Sequence, residues 1–307
     1  MNNKWTEKDI PDLIEKVIII TGANNGIGFE NVKQFTQKNA TVIMACRNMD
    51  KGQKSLEKVK LKLPNAKIEL MELDLASLES IKIFSKSFKQ KYNRLDVLLN
   101  NAGIMMVPYR KTADGFESQV GTNHLGHFAL TAQLYNLLRQ NEGSRVVNVS
   151  SDAHKSGKMD WNDFLFETNY GRIKAYGRSK LANLLFTYEM DRRLRSKGVT
   201  ILSVASHPGT ARTNLSDHLF GPSKYVLKPI VFALIAQSAY KGSLPSARAA
   251  TDPNVQSGQY YGPKGVFGTE TRGWPTIVQS NERSHNMDDA KKLWDVSEKL
   301  TGIKFEI

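Results

Sequence analysis

A single cysteine, Cys46, stands in the 307 residues. No internal disulfide can form, and nothing points to an oxidising compartment. No apolar run approaches the roughly 18 residues needed to span a bilayer. The first ten residues are polar and carry acids, unlike a secretory signal, so the cytoplasm is the expected compartment. Linkers rich in Gly, Pro or Ser are also missing, as are internal repeats and low-complexity stretches. One domain is therefore expected over residues 1–307, with a core at 14–215 and a cap and final strand at 216–307. The net charge is +13, but its Lys and Arg are dispersed, with no block of like charge and no basic run interleaved with aromatics. That pattern describes a solvated surface rather than a nucleic-acid partner, with some attraction for a phosphate-rich cofactor. His124, His127 and His154 have no Cys, His or acid partners at ligand spacing, and no metal is expected.

What is present is a repeated alternation. Val17-Ile-Ile-Ile20 is short, apolar and β-branched, as in a strand buried on both faces of a parallel sheet. A helix is predicted from about Ile27 to Lys38, then a strand at Thr41–Ala45. Helices at Asp50–Leu63 and Ser77–Lys91 alternate with strands at Lys67–Leu73 and Val97–Leu99. A long helix at Gly121–Arg139 leads to the strand Arg145–Val149, and a helix at Tyr176–Arg195 to the strand Thr200–Ser206. Strands and helices alternating without hairpin signals imply right-handed crossovers and a doubly wound parallel sheet. Beyond Pro208 the alternation fades.

The first strand ends in Thr21-Gly22-Ala23-Asn24-Asn25-Gly26-Ile27-Gly28. Glycines between strand and helix permit a tight turn and close approach of backbone to a pyrophosphate, with helix N–H groups aimed at the phosphates. The second strand ends in Cys46-Arg47-Asn48, where an acid would select the ribose hydroxyls of NAD. No acid stands there, and Arg47 offers a planar fork to a 2′-phosphate, so NADP is expected over NAD. Asp74, before Leu75, is placed to accept from the adenine amino group or to cap the next helix. Asn100-Asn101-Ala102-Gly103 follows the fourth strand, with small residues suited to lie against the adenosine ribose.

Tyr176 and Lys180 are four apart, so on a helix they share a face. A tyrosine near its ordinary pKa of about 10 is a poor base at neutrality. The Lys180 charge is expected to favour the phenolate and lower that value. Ser151 and Asn123 lie upstream.

Taken in order, these motifs resemble the short-chain dehydrogenase/reductase superfamily from about Ile14 to Leu215. The segments Cys46-Arg-Asn48, Gly121-Thr-Asn-His-Leu-Gly-His-Phe128 and Ala175–Leu184 are similar to its retinol-dehydrogenase-like branch, which includes protochlorophyllide reductases and WW-domain oxidoreductases; no WW domain is expected here. The resemblance implies a Rossmann-type α/β fold with helices on both faces and a C-terminal substrate cap. It also implies a hydride-transferring enzyme with Asn123, Ser151, Tyr176 and Lys180 as its catalytic set. Tyr176 would be the general acid/base, Ser151 would orient the carbonyl, and Asn123 would anchor a water that relays protons to Lys180. Tyr176 and Lys180 would also contact the cofactor, Lys180 through the nicotinamide ribose. His207-Pro208-Gly209, with Thr213 beyond it, would lie against the nicotinamide amide. Ser151 and Tyr176 are further apart than in compact members; of the two adjacent serines, Ser151 is preferred over Ser150 as the second of Asn-Val-Ser-Ser.

The substrate pocket is expected from the loop after Asn101–Met106, an insertion with Trp161, Phe164 and Phe166, and Leu219–Tyr240. These are apolar and suit a hydrophobic aldehyde, ketone or alcohol. Phe232–Ala236 is apolar enough to touch a membrane surface, though poor in flanking Lys and Arg. A ring double-bond reductase and a non-catalytic NADP-sensing scaffold are the alternatives. A homodimer through the helices at Gly121–Arg139 and Tyr176–Arg195 would fit the family.

Overall fold

A computed structural model describes residues 4–209, 237–265 and 270–307. Among the described residues, eight strands form one sheet: β1 Val17–Thr21, β2 Thr41–Cys46, β3 Ile68–Glu72, β4 Val97–Asn100, β5 Arg145–Val149, β6 Leu202–Ser206, β7 Tyr260–Lys264 and β8 Trp274–Ile277. Their order is β3-β2-β1-β4-β5-β6-β7-β8. Only the β7–β8 pair is antiparallel; the rest run parallel, as the strand–helix alternation requires.

The helices are α1 Gly26–Thr36, α2 Met49–Lys60, α3 Leu78–Lys91, α4 Ser118–Val120, α5 Gly126–Arg139, α6 Arg172–Ser196, α7 Ala239–Thr251 and α8 Met287–Thr301. They cover both faces of the sheet, and the strands read accordingly. In β1, Ile19 faces one core with Ile43, Leu98 and Val146, while Ile18 and Ile20 face the other with Val42, Met44, Val97, Leu99 and Val147. Successive side chains point to opposite faces, so a strand buried on both sides must be apolar throughout.

Three expectations change. The long helix at Gly121–Arg139 is not continuous α-helix: a π-helical turn, Gly121–Leu125, separates α4 from α5. The Tyr176 helix begins four residues earlier, at Arg172, so Tyr176 sits in its second turn. The C-terminal region carries two strands rather than one, and α7 packs directly on α1. Buried polar groups stitch that contact: Asn31 Nδ2 donates to the Ser243 carbonyl at 3.1 Å, and Gln34 Nε2 to Ser243 Oγ at 2.9 Å.

The helices expected to dimerise are partly covered from within the chain. Trp294 of α8 and Phe305 beyond it pack against Phe128 of α5 and Phe186 of α6, with ring centroids 5.4 to 6.4 Å apart. No described helix is long and apolar enough to cross a membrane.

Candidate active site

The strand order reverses between β1 and β4, and ligands of open α/β sheets bind outside the strand ends at such a switch point. A cavity of about 440 Å³ opens there, between the glycine turn, the end of β2, the loop after β4 and α6.

The turn is built for close approach. Gly22 and Gly26 have φ of +66° and +57°, a left-handed backbone that only glycine adopts freely. A Cβ on Gly28 would lie 2.6 Å from Asn101 Nδ2 and 2.7 Å from the Gly22 carbonyl. Asn25 caps α1, accepting from Gly26 N at 2.7 Å. The loop after β4 hangs on Thr21, whose hydroxyl oxygen accepts from Asn101 N and Ala102 N, each at 2.9 Å. Asn101 Nδ2 returns a bond to the Thr21 carbonyl at 2.8 Å.

Gly22, Asn24, Asn25, Gly26, Ile27, Arg47, Asn48, Asp74, Leu75, Asn101, Ala102, Gly103, Tyr176, Lys180 and Pro208 all line the cavity. Gly28 lies beneath the turn as a packing glycine rather than on the wall. Gly209 also lies behind the wall: its φ is +62°, and a Cβ there would meet the Thr271 carbonyl at 2.3 Å. Thr213, and the expected pocket segment up to residue 236 with its apolar run, fall outside the described residues. Asn48 caps α2 through Lys51 N at 2.8 Å. Asp74 bonds Ala76 N at 2.9 Å, leaving the capping of α3 to Ser77.

Sequence reasoning passed over Lys51 and Arg110, both exposed cations on the cavity wall. The available signal was spacing: Lys51 follows Arg47 by four residues at the start of a helix.

The catalytic candidates converge. Tyr176 and Lys180 share a face of α6, with the ammonium 5.8 Å from the phenol ring centroid. Lys180 Nζ donates to the Val149 carbonyl at 3.0 Å. The two serines differ: Ser150 lines the cavity and its hydroxyl donates to the Lys180 carbonyl at 2.8 Å, whereas Ser151 hydrogen-bonds Tyr176. Asn123, fully buried in the π-turn, sits behind the wall. Its Oδ1 accepts from Ile104 N at 2.8 Å, and its Nδ2 donates to the Ile104 carbonyl and to Ser179 Oγ, both at 2.9 Å. Gly103 leaves room between these groups: a Cβ there would lie 3.1 Å from Asn123 Oδ1 and 3.5 Å from Lys180 Nζ.

The electrostatics of the ligand-free site are dominated by burial. Burial pushes the Tyr176 phenol up to about 12, against a smaller opposing pull from the Ser151 hydrogen bond. Burial also pushes the Lys180 ammonium down, to about 8. Desolvation disfavours whichever form is charged, and both groups are enclosed by protein.

The insertion departs from expectation as well. Phe164 and Phe166 are buried in a third core under α8, with Phe116, Leu181 and Leu293, and Trp161 Nε1 donates to Asp289 at 2.8 Å. None of the three lines the cavity; Ile104, Met105 and Val107, from the loop after β4, are among its apolar lining. The buried Arg178 draws the insertion inward by bonding the carbonyls of Lys158 and Phe164 at 3.0 and 2.8 Å.

Distant segments also bring together Asp152, His207 and Glu270, with ligand atoms within 4.8 Å of one another, a grouping that linear spacing hides. The Lys155 ammonium already stands 3.4 Å from Asp152 and 3.2 Å from Glu270, supplying positive charge there.

With fold and site in place, comparison with known proteins is direct. The short chain dehydrogenase family matches residues 16–222, and the chain belongs to that family of oxidoreductases. It is 40% identical over 293 residues to human retinol dehydrogenase 12, covering 95% of this chain and 88% of that one. Human retinol dehydrogenase 14 is 38% identical, with 94% and 87% covered. A solved structure of an uncharacterised protein from Mycobacterium paratuberculosis superposes with a TM-score of 0.83 at 37% identity, covering 99% of this chain and 100% of that one. A Shigella flexneri short chain dehydrogenase complexed with NADP shares the fold, with a TM-score of 0.64 at 20% identity over 81% of this chain and 97% of that one.

Proposed function

We propose that this protein is an NADPH-dependent reductase of lipophilic aldehydes or ketones, with Tyr176 as proton donor. The observation that carries the reading is the enclosure of the Tyr176 phenol beside Ser151 and Lys180 at the switch-point cavity.

The residues fit a dinucleotide: left-handed glycines, a helix N-terminus and a Gly103 surface that a Cβ would crowd. Arg47 and Lys51, with no acid at the end of β2, favour a 2′-phosphate. The reduced nicotinamide supplies hydride when bound. Tyr176, protonated throughout the neutral range, donates its proton to the oxygen on which charge develops. Ser151 orients that oxygen and stabilises its charge. Lys180 holds the ribose and, as ammonium, makes proton loss from Tyr176 easier once a ligand completes the site. Asn123 holds the loop at Ile104 and, through Ser179, the Tyr176 turn of α6; it is also the anchor proposed for a water leading to Lys180.

Ile104, Met105 and Val107 offer an apolar wall, and the relatives named retinol dehydrogenases carry in that name a long lipophilic alcohol.

NADPH consumption by purified protein over a panel of lipophilic aldehydes and ketones tests the reading, with Tyr176→Phe as control. Turnover lost in the variant with NADPH binding retained is expected. Tight NADPH binding without turnover on any carbonyl would favour a ring double-bond substrate or a cofactor-sensing role instead.

A further inference from the structure

The glycine-turn strand and the active-site asparagine are joined by one imidazole. His127 is almost fully enclosed, one residue into α5. Its Nδ1 lies 3.0 Å from the Asn123 carbonyl and its Nε2 2.9 Å from Thr21 Oγ1. The direction of every proton in this chain follows from donor and acceptor chemistry. A carbonyl only accepts, so Nδ1 carries the hydrogen. Burial, helped by the nearby Lys180 charge, pushes the ring down to about 4, so it is neutral and Nε2 has a free lone pair. The Thr21 hydroxyl oxygen already accepts from Asn101 N and Ala102 N; of the two acceptors for its own proton, Nε2 at 2.9 Å is closer than the Leu99 carbonyl at 3.4 Å, and the proton goes to Nε2. On the other side, Asn123 Nδ2 donates to Ser179 Oγ, and Ser179 donates to the Tyr176 carbonyl at 2.8 Å.

We propose that His127 is a positioning residue, acting as a neutral Nδ1–H bridge that fixes Asn123 and, through Ser179, the Tyr176 turn of α6 relative to the cofactor-binding strand end. This deepens the functional reading above and rests on it. The π-turn is the structural reason for such a bridge. A widened turn departs from the regular backbone ladder and commonly marks functional segments; here a side chain, rather than the helix alone, ties the Asn123 carbonyl to the sheet. The neighbouring His124 makes an instructive contrast. Its Nε2 lies 2.9 Å from Ser297 Oγ, whose proton is already given to the Leu293 carbonyl at 2.7 Å, so His124 must donate from Nε2. Two histidines three residues apart thus hold opposite tautomers, and only His127 reaches the active site.

The first test is nitrogen-15 NMR of histidine-labelled wild-type protein, with His127→Phe and His124→Asn used to assign the resonances. Protonated Nδ1 and bare Nε2 on His127, with the reverse protonation on His124, are expected. An Nε2–H tautomer at His127 would overturn the bridge. The second test separates positioning from general structural support. His127→Phe keeps the packing but neither nitrogen; kcat should fall about tenfold or more while the NADPH dissociation constant stays within about twofold. His127→Asn, which restores a donor toward the Asn123 carbonyl, should recover part of kcat. Unchanged kcat in His127→Phe, or kcat and NADPH affinity falling together, would count against positioning. Tautomer and NADPH affinity are read without turnover, so a protein that reduces no carbonyl would defeat the functional reading while the tautomer still decides this one.

Discussion

Lys180 and Tyr176 are displaced in opposite directions by the same cause: burial pushes the ammonium down to about 8 and the phenol up to about 12. For the ligand-free protein this sets a stability profile. Between about pH 8 and 10.5 the unfolded chain holds the Lys180 proton and the folded chain does not, so stability rises with pH. Above about pH 10 the folded chain retains the Tyr176 proton that the unfolded chain releases, and stability falls. The lysine contribution is on the order of 3 kcal/mol. Urea midpoints from pH 7 to 11 should show the rise, and Lys180→Met should flatten it; a rise unaltered by that substitution would assign it to other groups.

Acid should destabilise the fold for a related reason. His124, His127 and His207 are buried and pushed down to about 3, 4 and 4. Each contributes stability that is complete above its ordinary pKa of about 6.5 and is lost as pH falls through the folded value. Unfolding midpoints are expected to drop steadily from pH 6.5 to 4. Replacing His124, which lies outside the proposed bridge, with Gln should reduce the slope.

Arg47→Ala and Lys51→Ala should each weaken NADPH about ten- to a hundredfold, the scale of a lost charge-assisted hydrogen bond. NADH, lacking the 2′-phosphate, should lose little. Equal weakening of both cofactors in a titration would remove the phosphate role.

Gly28→Ala places a methyl 2.6 Å from Asn101 Nδ2 and 2.7 Å from the Gly22 carbonyl, a backbone atom that cannot step aside. A cost of about 1–3 kcal/mol is expected, together with loss of NADPH binding, because the turn itself must shift. Thermal unfolding with and without NADPH reads both effects.

Trp294→Ala should cost about 3–5 kcal/mol by opening the ring cluster of Phe128, Phe186 and Phe305. Because α8 covers this surface of α5 and α6, sedimentation of the wild type should show no dimer built through it. A dimer that cross-links through Phe128 and Phe186 positions would refute that.

Much of the molecule was legible in the linear chain because parallel strands buried on both faces must be continuously apolar and turns that approach phosphates must be glycine. Val17–Ile20, the Gly22–Gly28 turn and the Tyr176–Lys180 spacing therefore announce themselves locally. Other features depend on what distant segments bring into contact. The insertion at Trp161–Phe166 reads as an apolar pocket wall until α8 arrives from more than a hundred residues away to bury it. The π-turn, the Thr21–His127–Asn123 bridge and the Asp152–His207–Glu270 grouping follow no local period. The upward shift of Tyr176 belongs with them: charge is written in the sequence, whereas desolvation exists only once the chain has closed around the phenol.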